Sequence, residues 1–525
     1  MKTLMSLLLI FFSLRISAQV AKSIVYNADS SLRAEGTIQN SLREGMWRVY
    51  RKDGSIFQEG PFENGKKQGI WKIHDVRGTV QLEIEYKQDL LDGVYNEFYE
   101  NKKPKVETFF KDSLLHGPYK EYYSSGGTRL KGRHENGKPV GSWSQYYRMG
   151  VLSALTSYKE DSEDHNVKKF NLYGILLSNV NYRSGKKNGL FEEHYPNGNL
   201  AVKGRYAMDK RDSIWIEYNE YGLKLSETNY DNGKRVGTWN YYFDNGQTSK
   251  IHFYKNDEPD STWREFYFNG RMKSIRHFKL GLPDSTYLEY HPNGKKSVEG
   301  AYKTGLREGL WKTYFQNGRF YSLGKYEADL EVGNWRYFGE SGILVSEGVF
   351  KAGKQQGQWF EYHNNGQLKS IGSFMFGSED GTWGLFHDNG KLMQEEFWKK
   401  GKLMSVGPYH TIEGDTLPRG TLKDGNGIKF SYSKKNELLI QANYKNGMLN
   451  GTWKRFYNDD KIEEEGEMLN GLMEGSWTYY YKNGKIESVG NYKAGEKTGF
   501  WKYYTKFGTL IDEVDHDLKE EDLEE

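Results

Sequence analysis

Gly353-Lys354-Gln355-Gln356-Gly357-Gln358-Trp359-Phe360-Glu361-Tyr362-His363-Asn364-Asn365-Gly366 is one copy of a pattern that runs through most of the chain. Stepping by 24 from Gly357, the same position is Gly45, Gly69, Gly93, Gly117, Gly141, His165, Gly189, Ser213, Gly237, Ser261, Ser285, Gly309, Gly333 and Gly381. After one irregular stretch it resumes two residues early, at Gly427, Gly451, Gly475 and Gly499. Positions are counted below from this residue, so that Trp359 stands at +2 and Tyr362 at +5. Thirteen of the 14 tryptophans stand at +2, and only Val167 and Lys429 break the aromatic series there. Every unit has Tyr, Phe or His at +5, from Tyr50 to Tyr504, and 16 of 19 have Gly at +9. A third aromatic position, +17, holds Phe62, Tyr86, Tyr302 and Tyr326, among others. A period of this length signals stacked repeats, not three or four independent domains.

Each unit contains two short aromatic, β-favouring segments between Gly-rich turns and has no helical periodicity. Asn-Gly at +8 and +9 marks a hairpin, because both residues tolerate positive φ. Pro196-Asn197-Gly198 and Pro292-Asn293-Gly294 refine it to a type I turn whose glycine takes the left-handed position of a bulge. The second turn carries Gly-Lys, as at Gly185-Lys186, or Asp, as at Asp209 and Asp329. A single hairpin of this size cannot bury an apolar face, so units must pair edge to edge and line their rings into ladders. The expected fold is therefore all-β, an elongated array of tandem antiparallel hairpins forming a twisted single-sheet ribbon or a solenoid. Trp at +2 and Tyr at +5 face opposite sides of a regular strand. Either both faces carry rings or a bulge realigns them, and small glycines are required wherever a ring lies over the sheet.

Around the array, Lys2 and the apolar run Leu4–Leu14, ending at Ala18, read as a signal peptide over 1–18. The repeats then occupy 19–400 and 427–510, around an irregular break at 401–426. Residues 511–525 read as an acidic, disordered tail, since 512–525 hold nine carboxylates and one Lys. The break, with Tyr409, His410, Glu413, Asp415 and Pro418, is either a decayed repeat or a grafted functional loop. Without cysteine the chain has no disulfides, CxxC redox site or Cys-ligated metal. Without signal and tail the body carries 71 basic and 62 acidic residues, too balanced for a nucleic-acid footprint. After signal cleavage no integral membrane segment is expected.

The pattern also accounts for half of the histidines as ring substitutes: His74 and His194 at +5, His134 at +17, and His291, His363 and His387 at +6. Neither H-E-x-x-H, an Asp-rich calcium loop, G-x-S-x-G nor a phosphate-binding glycine loop occurs. Catalysis needs a singular constellation, and near-identical hairpins offer none outside the break. No catalytic, cofactor-binding or metal residues are assigned, no cofactor is expected, and the ligand-binding residues stay unknown.

The stretches Gly353–Tyr362 with Asn365-Gly366, and Gly495–Tyr504, resemble the MORN repeat variant family in the form found in YwqK-like, antitoxin-type proteins. The resemblance spans about 25 to 510 and departs at Ser213, Ser261 and Ser285, each preceded by Asp. It implies a run of antiparallel hairpins engaged in protein–protein contact. The expectation is a non-catalytic, exported scaffold that binds a protein partner in the periplasm, at the cell surface or outside the cell. Two alternatives are a glycan or peptidoglycan binder using exposed aromatic ladders, and a toxin-neutralising or immunity-type protein. Exposed Trp311, Trp335 and Trp359 would favour the glycan reading.

Overall fold

The computed structural model describes residues 20–160, 162–457 and 460–517. Among them are 47 β-strands and no helix. The signal-peptide segment 1–18 lies outside the described residues. The chain divides into two compact units, one comprising residues up to Thr248 with Tyr254–Asp257, the other Ser249–Phe253 and the residues from Glu258 onward. Within each unit, antiparallel strands follow one another in chain order. Leu306–Tyr314, for example, pairs with Lys296–Lys303 on one side and Phe320–Glu327 on the other.

The two turns differ in kind. At Phe315–Arg319 the Gly318 N–H donates to the Phe315 carbonyl (2.8 Å) and the Phe315 N–H to that of Arg319 (2.9 Å). Gly318 alone has positive φ, +86°, so this is the expected type I turn with a glycine bulge. The other connection has only two residues, both left-handed, as at Asn64 (φ 50°) and Gly65 (φ 80°) or Asn232 (φ 49°) and Gly233 (φ 88°). The two-residue type I′ turn therefore belongs at +19 and +20, where several units carry a second Asn-Gly pair. Where Asp replaces that glycine, its carboxylate makes a bond that glycine cannot. Asp329 Oδ1 accepts both the backbone N–H (2.8 Å) and the Nε–H (2.9 Å) of Arg307.

At the repeat's reference glycine the strand carries a bulge. Ala301 pairs with Glu308 and Glu299 with Lys312, so two extra residues sit around Gly309, at φ 73°. The three serine departures occupy the same left-handed position, at φ 59°, 55° and 71° for Ser213, Ser261 and Ser285. Just beyond the bulge, the +2 indole lies flat against the +15 glycine of the preceding unit. A Cβ built on Gly36, Gly60, Gly132, Gly204, Gly300, Gly324, Gly348, Gly372, Gly466 or Gly490 would stand 2.0 to 2.4 Å from the indole Cδ2. Ten indoles also donate Nε1–H to the carbonyl ten residues earlier, at 2.9 to 3.2 Å, as Trp335 does to Lys325. Edge-to-face rings flank most of them: Trp335 lies 5.1 Å from Tyr326 and 5.9 Å from Phe350. A cation two residues before the bulge often covers the cluster, as Arg211 does at 4.3 Å from Trp215 and Lys497 at 4.0 Å from Trp501. Glycine below, rings beside and a cation above leave Trp215 and Trp501 fully buried on a single sheet.

The opposite face carries the +5 tyrosines, so both faces hold rings. Tyr50, Tyr314, Tyr362 and Tyr480 donate their hydroxyls to Glu35, Glu299, Glu347 and Glu465, fifteen residues earlier, at 2.7 to 3.2 Å. Lys or Arg joins these carboxylates, as in Lys312–Glu299 (3.5 Å) and Lys454–Glu465 (2.8 Å). Burial pushes the Tyr314 hydroxyl up to about 12, which keeps it a donor.

The segment from 511, expected as a disordered tail, instead opens as a strand. Leu510–Asp515 pairs with Glu496–Tyr504, from Tyr504↔Leu510 to Phe500↔Asp515. The backbone of the last full unit offers a free ladder, and the segment takes it through its main chain while Leu510, Ile511 and Val514 stay exposed. Residues 518–525 lie outside the described part.

Candidate functional site: a cleft at the break in the array

Near 401 the regular alternation fails. Strand Lys402–Val406 still pairs with Leu392–Lys399, but it is short, and the chain then leaves the sheet. It makes a small hairpin, Tyr409–His410 against Thr416–Leu417, and rejoins through the Gly420↔Lys429 bridge. The detour is tied down by backbone: Gly425 N–H donates to Met404 (2.7 Å) and Leu403 N–H to Gly447 (3.0 Å). Leu403, Val406 and Leu422 form its own buried core, against Trp398 and Tyr444.

Here the glycine–tryptophan pair is replaced. Glu396 occupies the +15 position and Lys429 the +2 position of the next unit, and their side chains form an ion pair, both partners largely buried. The Trp398 indole donates to the other Glu396 oxygen, 2.9 Å. Burial, with a smaller contribution from nearby Glu396, pushes the Tyr444 hydroxyl up to about 12. Lys429 stands out in the sequence as a gap in the ring series; its partner does not, because the insertion separates the two by 33 residues instead of 11.

On one side of this detour lies a cleft of about 610 Å³. Leu385 and Met393 from regular strands and Ile412 from the insertion make an apolar lining. Tyr409 and Tyr432, 4.8 Å apart, stand together with Trp383 in the wall. Glu361, Lys369, Asp388 and Lys434 supply the charge, already paired: Lys369 with Glu361 (3.2 Å) and Lys434 with Asp388 (3.0 Å). The Lys434 hydrogen bond holds the Asp388 carboxyl below the usual carboxylate range.

Of the break residues singled out from sequence, Tyr409 lines the cleft and is buried, whereas His410 contributes its carbonyl to His387 Nε2 (2.7 Å). Pro418 offers its carbonyl to the Tyr432 hydroxyl, Glu413 accepts from Asn436 (3.4 Å), and the Asp415 carbonyl closes the turn with Thr411 N–H (2.8 Å). Trp383, Leu385, Met393 and Ile412 escaped notice, since as letters the first three are ordinary repeat residues. Only Met393 and Leu385 facing an insertion makes them a lining.

Six of the twelve histidines fill ring positions. His134 stacks edge-on at 4.7 Å from Trp143, and burial holds its pKa below the ordinary value. His291, His363 and His387 each turn Nε2 toward the carbonyl 23 residues on, at 2.7 to 2.9 Å. A carbonyl only accepts, so each Nε2 carries a proton. Tyrosines at the same position do likewise: Tyr99, Tyr195 and Tyr481 donate to Tyr122, Tyr218 and Tyr504 carbonyls. Trp311, Trp335 and Trp359 are 7, 4 and 5% exposed, so these rings offer no platform for a sugar. Among the described residues no helix is long and apolar enough to cross a membrane.

Seven segments, 91–112, 187–207, 235–256, 355–375, 379–400, 449–470 and 473–494, match the family model of the MORN repeat variant. No curated protein matches the chain significantly. Among solved structures, TcdB2-TccC3 without its hypervariable C-terminal region aligns at 10% identity over 94% of this chain and 30% of that one, with a TM-score of 0.13. The Photorhabdus luminescens Tc holotoxin pore gives the same identity, coverage and score. This chain spans less than a third of the length of either.

Proposed function

We propose that this chain of MORN repeat variants is a non-catalytic, exported scaffold that holds a protein partner at the cell envelope or surface, and that the cleft at the break is where the partner docks. Within each compact unit the repeats build a chemically uniform surface suited to binding rather than turnover. The cleft supports the reading because it joins an apolar floor to aromatic walls and a few polar groups at the one large insertion in the array.

The test is capture from an envelope fraction on immobilised full-length protein, alongside Ile412→Asp in the cleft and Leu310→Ser on an exposed strand position elsewhere. The reading expects a stoichiometric protein retained by the parent and by Leu310→Ser, and lost with Ile412→Asp. Retention that ignores the cleft substitution, or retention of the chain on insoluble polysaccharide instead, would overturn it.

A further inference from the structure

Given that reading of the cleft, the geometry points to its occupant: an uncharged, extended peptide segment of the partner, seated by one large apolar side chain, whose backbone carbonyl accepts from the Trp383 indole N–H.

Trp383 carries the argument. Ten indoles at its repeat position donate to a carbonyl ten residues earlier, whereas Trp143 Nε1 and Trp383 Nε1 are both buried without a partner; of these two it is Trp383, 9% exposed, that lines the cleft. A buried donor left unpaired is costly, and a ligand that supplies an acceptor recovers that loss. Trp383 lines the cleft, so the missing acceptor can come from an occupant. The floor of Leu385, Met393 and Ile412 suits a branched or aromatic side chain, with the paired Tyr409 and Tyr432 rings beside it. The charge pattern excludes an ionic anchor. Lys369–Glu361 and Lys434–Asp388 leave no net charge at the rim, and a charged occupant would have to break one pair to gain another. A volume of about 610 Å³ holds such a side chain with the peptide groups on either side. Peptide backbone offers carbonyls wherever the side chain is seated, which a simple apolar molecule does not.

The experiment uses the full chain with nitrogen-15-labelled tryptophan. The Trp383 indole signal is identified by its loss in Trp383→Phe. Two probes share the same carbonyls: N-acetyl-phenylalanine amide and N-acetyl-lysine amide. A probe of this size binds at about millimolar strength. The phenylalanine probe should move the Trp383 indole proton downfield and saturably, and the lysine probe should need at least about tenfold more. Ile412→Asp should raise the phenylalanine requirement by at least about tenfold while the other indole signals hold their places. If Trp383→Phe does not fold, Ile412→Asp alone identifies the responding signal. A silent Trp383 signal, equal response to the lysine probe, or a response that survives Ile412→Asp would each overturn the inference. Cleft-dependent partner capture with a silent indole would refute this occupant yet leave the scaffold reading standing.

Discussion

Replacing Gly348 with alanine tests the packing rule that builds the array. The new Cβ would stand 2.3 Å from Trp359 Cδ2 and 2.5 Å from Cγ, so the ring must lift. Trp359 is 5% exposed, donates to the Val349 carbonyl at 3.2 Å, and meets Phe350 and Phe374 edge-on at 5.2 and 5.9 Å. Overpacking of this kind costs about 1–3 kcal/mol. Lifting the ring loosens the hydrogen bond, about 1 kcal/mol, and the ring pairs, about 0.5–1.5 kcal/mol each. Alanine's better strand propensity returns less than about 1 kcal/mol, leaving a destabilisation of about 3 kcal/mol. The array supplies its own rescue. Units with a side chain at +15 often carry a smaller ring at +2, as with Val180 and Phe191, or Ile84 and Tyr95. Gly348→Ala combined with Trp359→Phe should therefore be more stable than Gly348→Ala alone. Repeat arrays open in pieces, so the assay is amide exchange in strands Leu344–Lys351 and Lys354–Tyr362, not one global transition. Unchanged exchange in Gly348→Ala, or no recovery in the double variant, would refute the packing argument.

Other expectations follow from the same geometry. Lys429→Met alone strands the Glu396 carboxylate in a buried site and should cost about 3–5 kcal/mol, whereas adding Glu396→Leu should return most of it, read by urea unfolding. Asn317→Ala removes the bond from its side-chain N–H to the Glu340 carbonyl (2.8 Å) and the one its oxygen accepts from Arg319 N–H (2.9 Å). Loss of about 1–2 kcal/mol, seen as faster local exchange around Phe315–Arg319, is expected. Glu299 is held below its ordinary 4.5 first by the Lys296 hydrogen bond, with Tyr314 adding to it, and Glu465 first by Lys454, with Tyr480 adding. Depressed carboxyl pKa values mean that this stabilisation is complete well above pH 4.5 and is lost as pH falls through the folded-state values. Acid unfolding followed by near-ultraviolet circular dichroism should therefore be flatter in Glu299→Gln and Glu465→Gln.

The hairpins, their spacing and the small residues under the rings were readable because each rests on local chemistry repeated many times. That Gly348 is the glycine beneath Trp359 emerges from the strand register. The cation over the indole was not legible, since Arg211 and Lys497 look like ordinary surface residues until the bulge aims them. The turn assignment was half legible: Asn-Gly occurs in both turns, and only hydrogen bonding separates the three-residue connection at Asn317-Gly318 from the two-residue one at Asn64-Gly65. The cleft was least visible. Tyr409 drew attention by lying in the break, but its neighbours Leu385 and Met393 obey the repeat, and their exposure to a cavity depends on where an insertion returns to the sheet. Asp512 to Asp515 misled in the opposite direction: charge suggested solvation, while an open backbone ladder recruited the segment.

Ten of the indoles rest on a glycine of the unit before them, and the Tyr and His rings at +6, with most +8 asparagines, donate to a carbonyl of the unit after them. Support thus runs one way along the chain, like roof tiles laid from a single eave. Shortening from the amino end by the strand that carries Gly36 would strip the seat from under Trp47 and bare a large ring. Shortening from the carboxyl end past Gly490 removes the Trp501 ring together with its seat and takes the Tyr492 ring from beside Trp477, but leaves Trp477 on its own seat, Gly466. Trimmed forms of equal length should consequently differ in solubility according to the end that was cut.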